Sequence, residues 1–106
     1  MTEKRLIVIE PDNTVTVRPL DGPPRLEELQ KAVKGSIETV PYLTTFCGDP
    51  CIAFRNEEGK LERLPVNAVA TKHWMTSIER LTFKINDVLV GPVVIITGPH
   101  SFLGRL

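Results

Sequence analysis

The chain has 106 residues, of which 42% are hydrophobic and 25% charged, as in an ordinary globular protein rather than a disordered one. Its 13 basic and 13 acidic residues give a formal net charge of zero. That balance disfavours a general nucleic-acid binder, because such proteins carry a surplus of basic residues that neutralises phosphates. The length allows one domain with a single core.

The apolar runs are too short for a membrane protein. The longest, residues 88–96, is interrupted by a Gly-Pro pair and falls far below the ~20 residues that span a bilayer. The run near the N-terminus, Leu6–Ile9, is too short for a signal peptide. We therefore expect a cytoplasmic protein without membrane association, in which Cys47 and Cys51 are free thiols.

The first 20 residues predict a β-hairpin. Leu6–Ile9 is a continuous β-branched and aliphatic run, which is typical of a strand buried on both faces. Thr14–Arg18 alternates polar and apolar residues, as a half-buried strand does. Residues 10–13 contain Pro, Asp and Asn, which favour the connecting turn.

An amphipathic helix is predicted over about residues 25–34. Leu26, Leu29 and Val33 follow one another at i, i+3 and i+7, so they share one face. Gly35 follows the last apolar position and is predicted to cap the C-terminus. Such a short helix needs a sheet on which to dock its apolar face.

The middle of the chain predicts further strands. Residues 36–40 and 51–54 have strand-like composition, and a Gly-Asp-Pro turn precedes the second of them. Asn56-Glu57-Glu58-Gly59 suggests a four-residue hairpin loop, with Gly59 at a positive φ. Lys60–Leu64 would then be the return strand.

The last third is less regular. Asn67 either caps a helix or lies in an irregular connection, and residues 74–81 favour a short helix. Residues 89–90 and 93–97 predict the last strand, with Pro92 marking an edge or a bulge. The whole pattern predicts a single α+β domain over residues 1–106, in which an antiparallel-rich sheet is covered by one main amphipathic helix. Residues 99–106 are predicted to be a docked or partner-binding tail.

The order and spacing of several short motifs resemble a family of small domains of unknown function. These motifs are Ile9-Glu10-Pro11, Leu-Glu-Glu-Leu-Gln at residues 26–30, Val33 with Gly35, Ile37-Glu38, Val40, Asn-Glu-Glu-Gly-Lys at residues 56–60, Leu64-Pro65, Asn67, Ala70, residues 87–91 and residues 94–96. The resemblance covers roughly residues 5–98 and leaves out residues 43–51 and the tail. The family is found widely in bacteriophages, plasmids and other mobile elements. The resemblance therefore implies a small accessory protein of a mobile element, and it carries over no catalytic residue.

Cys47, Cys51, His73 and His100 are the candidate metal ligands, since together they make a formal Cys2His2 set. The two histidines lie 27 residues apart without a paired spacing. A Cys-His hydrolase is also disfavoured, because nothing around the cysteines resembles a nucleophile motif. We expect no metal and no cofactor.

The candidate ligand- or partner-binding residues concentrate around the predicted hairpin. They are Arg55, Asn56, Glu57, Glu58, Lys60, Asn67, His73 and Trp74. Glu57 and Glu58 are interpreted as solvated charges rather than an acid/base pair. The basic residues alternate with acidic ones, so a mixed-charge surface is favoured over a phosphate site.

Two functions remain open. The preferred prediction is a non-enzymatic interaction protein that binds a host protein, with counter-defence as one such role. The alternative is a small-molecule or nucleotide-binding protein, whose pocket lies between residues 55–70 and the helix or at an oligomer interface. A small domain also gains burial by self-association, so a homodimer is predicted.

Overall fold

The computed structural model describes residues 3–79 and 86–106. Within these residues, six strands and three helices follow one another as β1 (Arg5–Ile9), β2 (Val15–Pro19), α1 (Leu26–Val33), β3 (Ile37–Thr39), β4 (Thr45–Phe46), β5 (Asp49–Asn56), α2 (Ala68–Ile78), β6 (Val93–Thr97) and α3 (His100–Leu103). The predicted α+β domain with an antiparallel sheet is confirmed. None of these helices is long and apolar enough to cross a bilayer.

The strands form one antiparallel sheet in the order β2-β1-β6-β5-β3, and the short β4 pairs with β5 beside this path. All five residues of β6 are buried, as expected for the central strand. The prediction that Pro92 marks an edge or a bulge is wrong. Pro92 directly precedes β6, where its missing N–H removes no bond from the ladder.

Each face of the sheet is covered by a separate apolar cluster. Ile7 and Ile9 of β1 face the cluster that contains α2, whereas Leu6 faces the cluster that contains α1 and α3. This alternation follows from the two-residue period of a strand. The prediction that Leu6–Ile9 is buried on both faces is confirmed, and the helices form layers on both sides of the sheet.

The predicted hairpin of β1 and β2 is confirmed, but β2 is not half-buried. All five of its residues are exposed, including Val15 at 47% and Val17 at 58%. The reason is tertiary: β2 is the edge strand, and α1 packs over β3, β5 and β6 instead. Alternation in sequence therefore does not decide burial at an edge.

Helix α1 matches the predicted range, with two corrections. Leu29 and Val33 are buried, but Leu26, the first residue of the helix, is 53% exposed. The C-terminal cap is Lys34, which adopts the left-handed conformation at φ 63°, rather than Gly35. Gly35 is needed for a different reason, since a Cβ there would lie 2.7 Å from the Asn56 side chain.

The predicted hairpin after β5 is wrong. Residues 57–63 form consecutive turns, closed by backbone hydrogen bonds from Gly59 N to Asn56 O (3.2 Å) and from Leu64 N to Gly59 O (2.9 Å). There is no return strand at Lys60–Leu64, and Gly59 is not at a positive φ. Leu64 and Pro65 follow the last of these turns and lead into the second half of the chain.

The second half is organised by α2 and β6. Asn67 caps α2, which is one of the two alternatives predicted for it. α2 includes residues 74–78 of the short helix favoured at residues 74–81. Residues 80 and 81 lie outside the described part of the chain. Residues 89–90 are not part of the last strand, although Val90 forms an isolated bridge with Val66. The C-terminal segment packs onto the sheet through Phe102 and Leu103, which are buried in the α1-side cluster.

Candidate functional site

The candidate site is a cleft at the end of β5, next to the β3 edge of the sheet. It has a volume of about 180 Å³ and gathers five of the predicted binding residues: Arg55, Asn56, Glu57, Glu58 and Lys60. The sequence did not point to its other walls, which are formed by Glu38, Leu61, Val88 and Val90. The antiparallel pairing of β3 with β5 and the turn after β5 together shape this cleft.

Both cations of the cleft are paired with carboxylates. Glu38 lies directly opposite Arg55 in the β3–β5 ladder, and its Oε1 accepts a hydrogen bond from Arg55 Nε at 2.7 Å. Lys60 forms an ion pair with Asp87, and the hydrogen bond from Lys60 holds the pKa of that carboxyl below its usual range. The cleft is therefore a mixed-charge surface, in agreement with the sequence interpretation.

Asn56 is a buried cross-link rather than a free binding group. Its Nδ2 donates to the carbonyl oxygens of Val33 (3.1 Å) and Lys34 (3.3 Å), which end α1. Its Oδ1 accepts a hydrogen bond from the backbone N–H of Glu58 at 2.8 Å. Asn56 thus fixes the start of the turn segment to the C-terminus of α1.

Trp74 and His73 lie on α2, outside the cleft. Trp74 is fully buried and donates its indole N–H to Pro41 O at 2.7 Å, while the Arg55 guanidinium lies 5.9 Å from the ring centroid. A cation over an indole face is stabilised by a cation–π interaction, so Trp74 helps to position the Arg55 guanidinium. His73 packs its ring against Phe46 at 4.5 Å, and partial burial lowers its pKa.

Asn67 is also structural. It is completely buried, and its Nδ2 donates to the carbonyl oxygens of Ile9 (2.8 Å) and Gly91 (2.9 Å). Its Oδ1 accepts from Ala70 N at 3.1 Å and so caps α2. One side chain therefore joins β1, α2 and the segment before β6.

The four candidate metal ligands are not gathered into a site. Cys47 is exposed in a turn, whereas Cys51 is buried on β5, where burial raises the pKa of its thiol to about 12. His100 is exposed at the start of α3. Within residues 3–79 and 86–106, no three His, Cys, Asp or Glu side chains form a group that could hold a metal. A thiol with such a pKa stays protonated at neutral pH, so Cys51 is a poor ligand and a poor nucleophile.

Residues 3–102 match the model of the domain of unknown function DUF3846. The chain belongs to this family. The match confirms the resemblance found in the sequence motifs. No curated protein and no solved structure is significantly similar to the chain.

The two buried asparagines connect segments that lie far apart in the sequence of this DUF3846 domain. Asn67 binds the Ile-Glu-Pro motif at Ile9 and the Val-Gly motif at Gly91. Asn56 binds the end of α1, next to Gly35. Sequence spacing alone could not show that these segments meet.

The most exposed of the large apolar residues within 3–79 and 86–106 lies beside the cleft. Leu61 is 81% exposed, and Val66 and Val88 nearby are 54% and 40% exposed. Leu61 and Val88 line the same cleft, and Val66 pairs with its neighbour Val90. We call these three side chains the Leu61 surface. Sequence reasoning missed it because Leu61 lies between charged residues in a segment interpreted as a strand.

A second cavity of about 410 Å³ lies between the turn segment and the end of α1. Its walls are Glu10, Pro11, Asp12, Lys34, Leu64, Pro65 and Pro92. Hydrogen bonds from the Thr14 side chain and from its backbone N–H, which lies 2.9 Å from Asp12 Oδ1, lower the pKa of this exposed carboxyl. One cation, Lys34, therefore faces two carboxylates across an otherwise apolar hollow.

Proposed function

We propose that this DUF3846 domain is a non-enzymatic interaction protein of a phage or other mobile element, and that it binds a host protein in the cytoplasm through the Leu61 surface. The observation that carries the proposal is that Leu61 is 81% exposed on a segment that is otherwise held by hydrogen bonds. Exposed apolar side chains grouped on one surface and rimmed by polar residues are typical of protein-binding sites.

The segment that carries Leu61 is held at both ends, which favours a preformed binding surface over a mobile loop. Asn56 ties the start of the segment to α1, and backbone hydrogen bonds within residues 56–64 close its turns. The other end is held where Asn67 caps α2. A preorganised apolar anchor loses little conformational entropy on binding, which is how interface hot spots gain affinity.

The size of the cleft favours a protein over a small molecule at this position. Its volume of about 180 Å³ is below the roughly 300–1,000 Å³ of small-molecule pockets, and it suits a single inserted side chain. The ion pairs Arg55–Glu38 and Lys60–Asp87 place both signs of charge at its rim. A mixed-charge rim around an apolar centre selects a partner of complementary pattern.

The chemical groups of the chain support a binding role as well. Cys51 is buried and protonated, and the amides of Asn56 and Asn67 are occupied by backbone partners. These groups stabilise the fold in their present positions. Within the mobile-element setting, we propose that the bound host protein is a defence component and that binding inhibits it.

The test compares Leu61→Glu with Leu26→Glu, a matched change at an exposed leucine on α1. Tagged wild-type and variant domains are used to purify partners from a host lysate, with quantitative mass spectrometry as the readout. We expect at least one host protein to be recovered with wild type and L26E and lost with L61E, while all three domains melt at similar temperatures. Recovery that does not depend on residue 61 would refute the proposal.

The alternative function, binding of a small molecule or nucleotide, is favoured by the second cavity. Its volume of about 410 Å³ lies in the range of ligand pockets, and its lining includes Leu64 and Pro65 of the turn segment and Lys34 at the end of α1. Lys34 would face an anionic group of the ligand, and Glu10 and Asp12 would face hydrogen-bond donors.

A thermal-shift screen tests the alternative. A ligand present at 100 times its Kd adds about 2.7 kcal/mol, which raises the melting temperature of a domain of this size by on the order of 10 °C. The effect should disappear in Lys34→Glu and persist in Lys72→Glu, since Lys72 is exposed on α2 and does not line this cavity. A flat response across nucleotides and charged metabolites argues against a ligand here.

A further inference from the structure

The outer side of β2 presents an unpaired strand edge. β2 pairs with β1 on its inner side, and no strand among residues 3–79 and 86–106 pairs with its outer side. Peptide groups alternate in direction along an antiparallel strand, so every second residue bonds to the neighbouring strand. Which residues face outward can be read from the ends of the β1–β2 ladder.

The inward-facing positions of β2 are even-numbered. Leu20 N donates to Lys4 O at 2.9 Å, and Glu10 N donates to Thr14 O at 2.8 Å. The peptide groups of Val15 and Val17 therefore point away from the sheet. Pro19 also points outward, but it offers only a carbonyl oxygen because proline has no N–H.

The side chains of this edge are apolar on one face. Val15 and Val17 lie opposite Ile9 and Ile7 in the β1–β2 register, so they extend the apolar α2-side face of the sheet into solvent. A β-branched edge strand without a lysine or a bulge pairs readily with another strand. Its blocking residues, Arg18 and Pro19, lie together at one end of the strand.

We infer that β2 pairs antiparallel with β2 of a second copy of this chain, with Val15 opposite Val17 of the second copy. Thr16 then lies on the two-fold axis. This register matches every outward N–H and C=O of both valines in reciprocal pairs. The result is an isologous dimer in which one sheet runs through both copies.

The two neighbouring registers are worse for a reason visible in the structure. A shift that places Val15 opposite Pro19 leaves the Val15 carbonyl without a donor. A shift that places Val17 opposite Asn13 leaves the Val17 carbonyl without a donor, because the Asn13 N–H already donates to Glu10 O at 3.0 Å. Asn13 also has a positive φ of 76°, which turns it out of the strand. Unpaired peptide groups weaken a ladder, so the central register is selected.

Side-chain charges agree with this register. Arg18 would lie opposite Thr14 of the second copy, on the α1-side face, and it already pairs with Glu28 of its own chain. The two Arg18 side chains stay about four residues, or roughly 13 Å, apart along the strands. On the other face the four valines of the two copies form one apolar stripe, the favourable kind of cross-strand contact.

This inference is independent of the proposed host-protein binding. The Leu61 surface is next to β3 and β5, whereas β2 is at the opposite edge of the sheet. A five-residue strand buries less than the roughly 800 Å² per partner of a stable interface, so we expect dissociation in about the micromolar range.

A cysteine cross-link tests the register directly. Residues opposite each other at a non-hydrogen-bonded position have Cα atoms about 4.5 Å apart, within the range of a disulfide. In a Cys47→Ser background, which removes the exposed native thiol, Thr16→Cys should form a covalent dimer under mild oxidation. Thr14→Cys is the matched control and should stay monomeric, because its sulfur lies roughly 13 Å from its counterpart. Equal cross-linking of both variants, or none, would overturn the inference.

Sedimentation velocity of the unmodified chain provides the second test. We expect the mass to rise from 11.8 kDa towards twice that value between about 1 and 500 µM. Val17→Lys should keep the chain monomeric, whereas Val66→Lys, at a valine of similar exposure on the Leu61 surface, should dimerise normally. A single 11.8 kDa species at every concentration contradicts the dimer. Loss of host-protein binding in V66K but not in V17K would separate the two proposals.

Discussion

At the scale of single residues, Asn67 shows how one side chain can do more than its local role. As a helix cap, Asn and Asp are about equally good. In this structure, however, the amide of Asn67 also donates to the buried carbonyl oxygens of Ile9 and Gly91. A carboxylate at this position would face two oxygens without a donor.

We therefore predict that Asn67→Asp destabilises the domain by about 3 kcal/mol or more, because it buries an unpaired charge and leaves two carbonyls unsatisfied. Urea denaturation at pH 7 measures the change. Asn86→Asp, at an exposed asparagine, should stay within about 0.5 kcal/mol of wild type. A neutral N67D variant would mean that capping is all that Asn67 does.

Cys51 gives a prediction about pH. Burial raises the pKa of its thiol from an ordinary 9.0 to about 12. Because the folded state favours the protonated thiol, this contribution to stability is fully present below pH 9 and is lost as the pH rises towards 12. Cys51→Ala should remove the dependence.

The measurement is the free energy of unfolding of both proteins from pH 8 to pH 10.5. The difference between wild type and C51A should shrink by about 1.4 kcal/mol at pH 10, since one pKa unit corresponds to that amount. Parallel pH profiles would indicate that Cys51 ionises as freely in the folded state as in the unfolded state.

At the scale of elements, the C-terminal helix α3 is part of the core. Phe102 is buried in the α1-side cluster, and Lys4 Nζ lies 5.1 Å from its ring centroid. We predict that Phe102→Ala costs about 3–5 kcal/mol, as large-to-small changes in a packed core do. Leu106→Ala, at an exposed leucine four residues further on, should change stability by less than about 0.5 kcal/mol. Urea midpoints of the two variants make the comparison, and equal values would show that the tail is not docked through Phe102.

The elements differ in how far their sequences determined them. Leu6–Ile9 was predictable because a continuous apolar run has one stable placement, between two covering layers. The segment Lys60–Leu64 was not, because it folds into turns closed by backbone hydrogen bonds within residues 58–64, after a start that Asn56 fixes to α1. The exposure of β2 depended on its position at the edge, which local pattern does not encode.

The candidate site, too, was predictable from the sequence only in part. Arg55 and Lys60 were found from the charged turn, but their partners were not. Glu38 lies 17 residues before Arg55, and Asp87 lies 27 residues after Lys60. Only the β3–β5 register and the fold of the second half bring these charged pairs together, so the mixed-charge cleft can be recognised only from the three-dimensional structure.

At the scale of the whole molecule, the centre and the two edges of the sheet have different roles. Its centre, β6, is buried on both faces and stabilises the fold. The edge at β3 carries the cleft and the Leu61 surface, and the edge at β2 carries unpaired peptide groups. Since the two exposed sites lie at opposite edges, a dimer formed through β2 leaves both Leu61 surfaces free.

Amide hydrogen exchange tests this arrangement residue by residue. The amides of β6 sit in a buried ladder between β1 and β5, so we predict that they open only with global unfolding and exchange most slowly. The inward amides of Thr16 and Arg18 should show intermediate protection, because β2 is an exposed edge. The outward amides of Val15 and Val17 should exchange fastest in a dilute sample, where water is their only partner. In a concentrated sample the same two amides should slow by at least tenfold, while those of Thr16 and Arg18 change little. A concentration dependence shared by all residues of β2 would point to general stabilisation of the strand, whereas protection confined to Val15 and Val17 is the pattern that pairing along the outer edge requires.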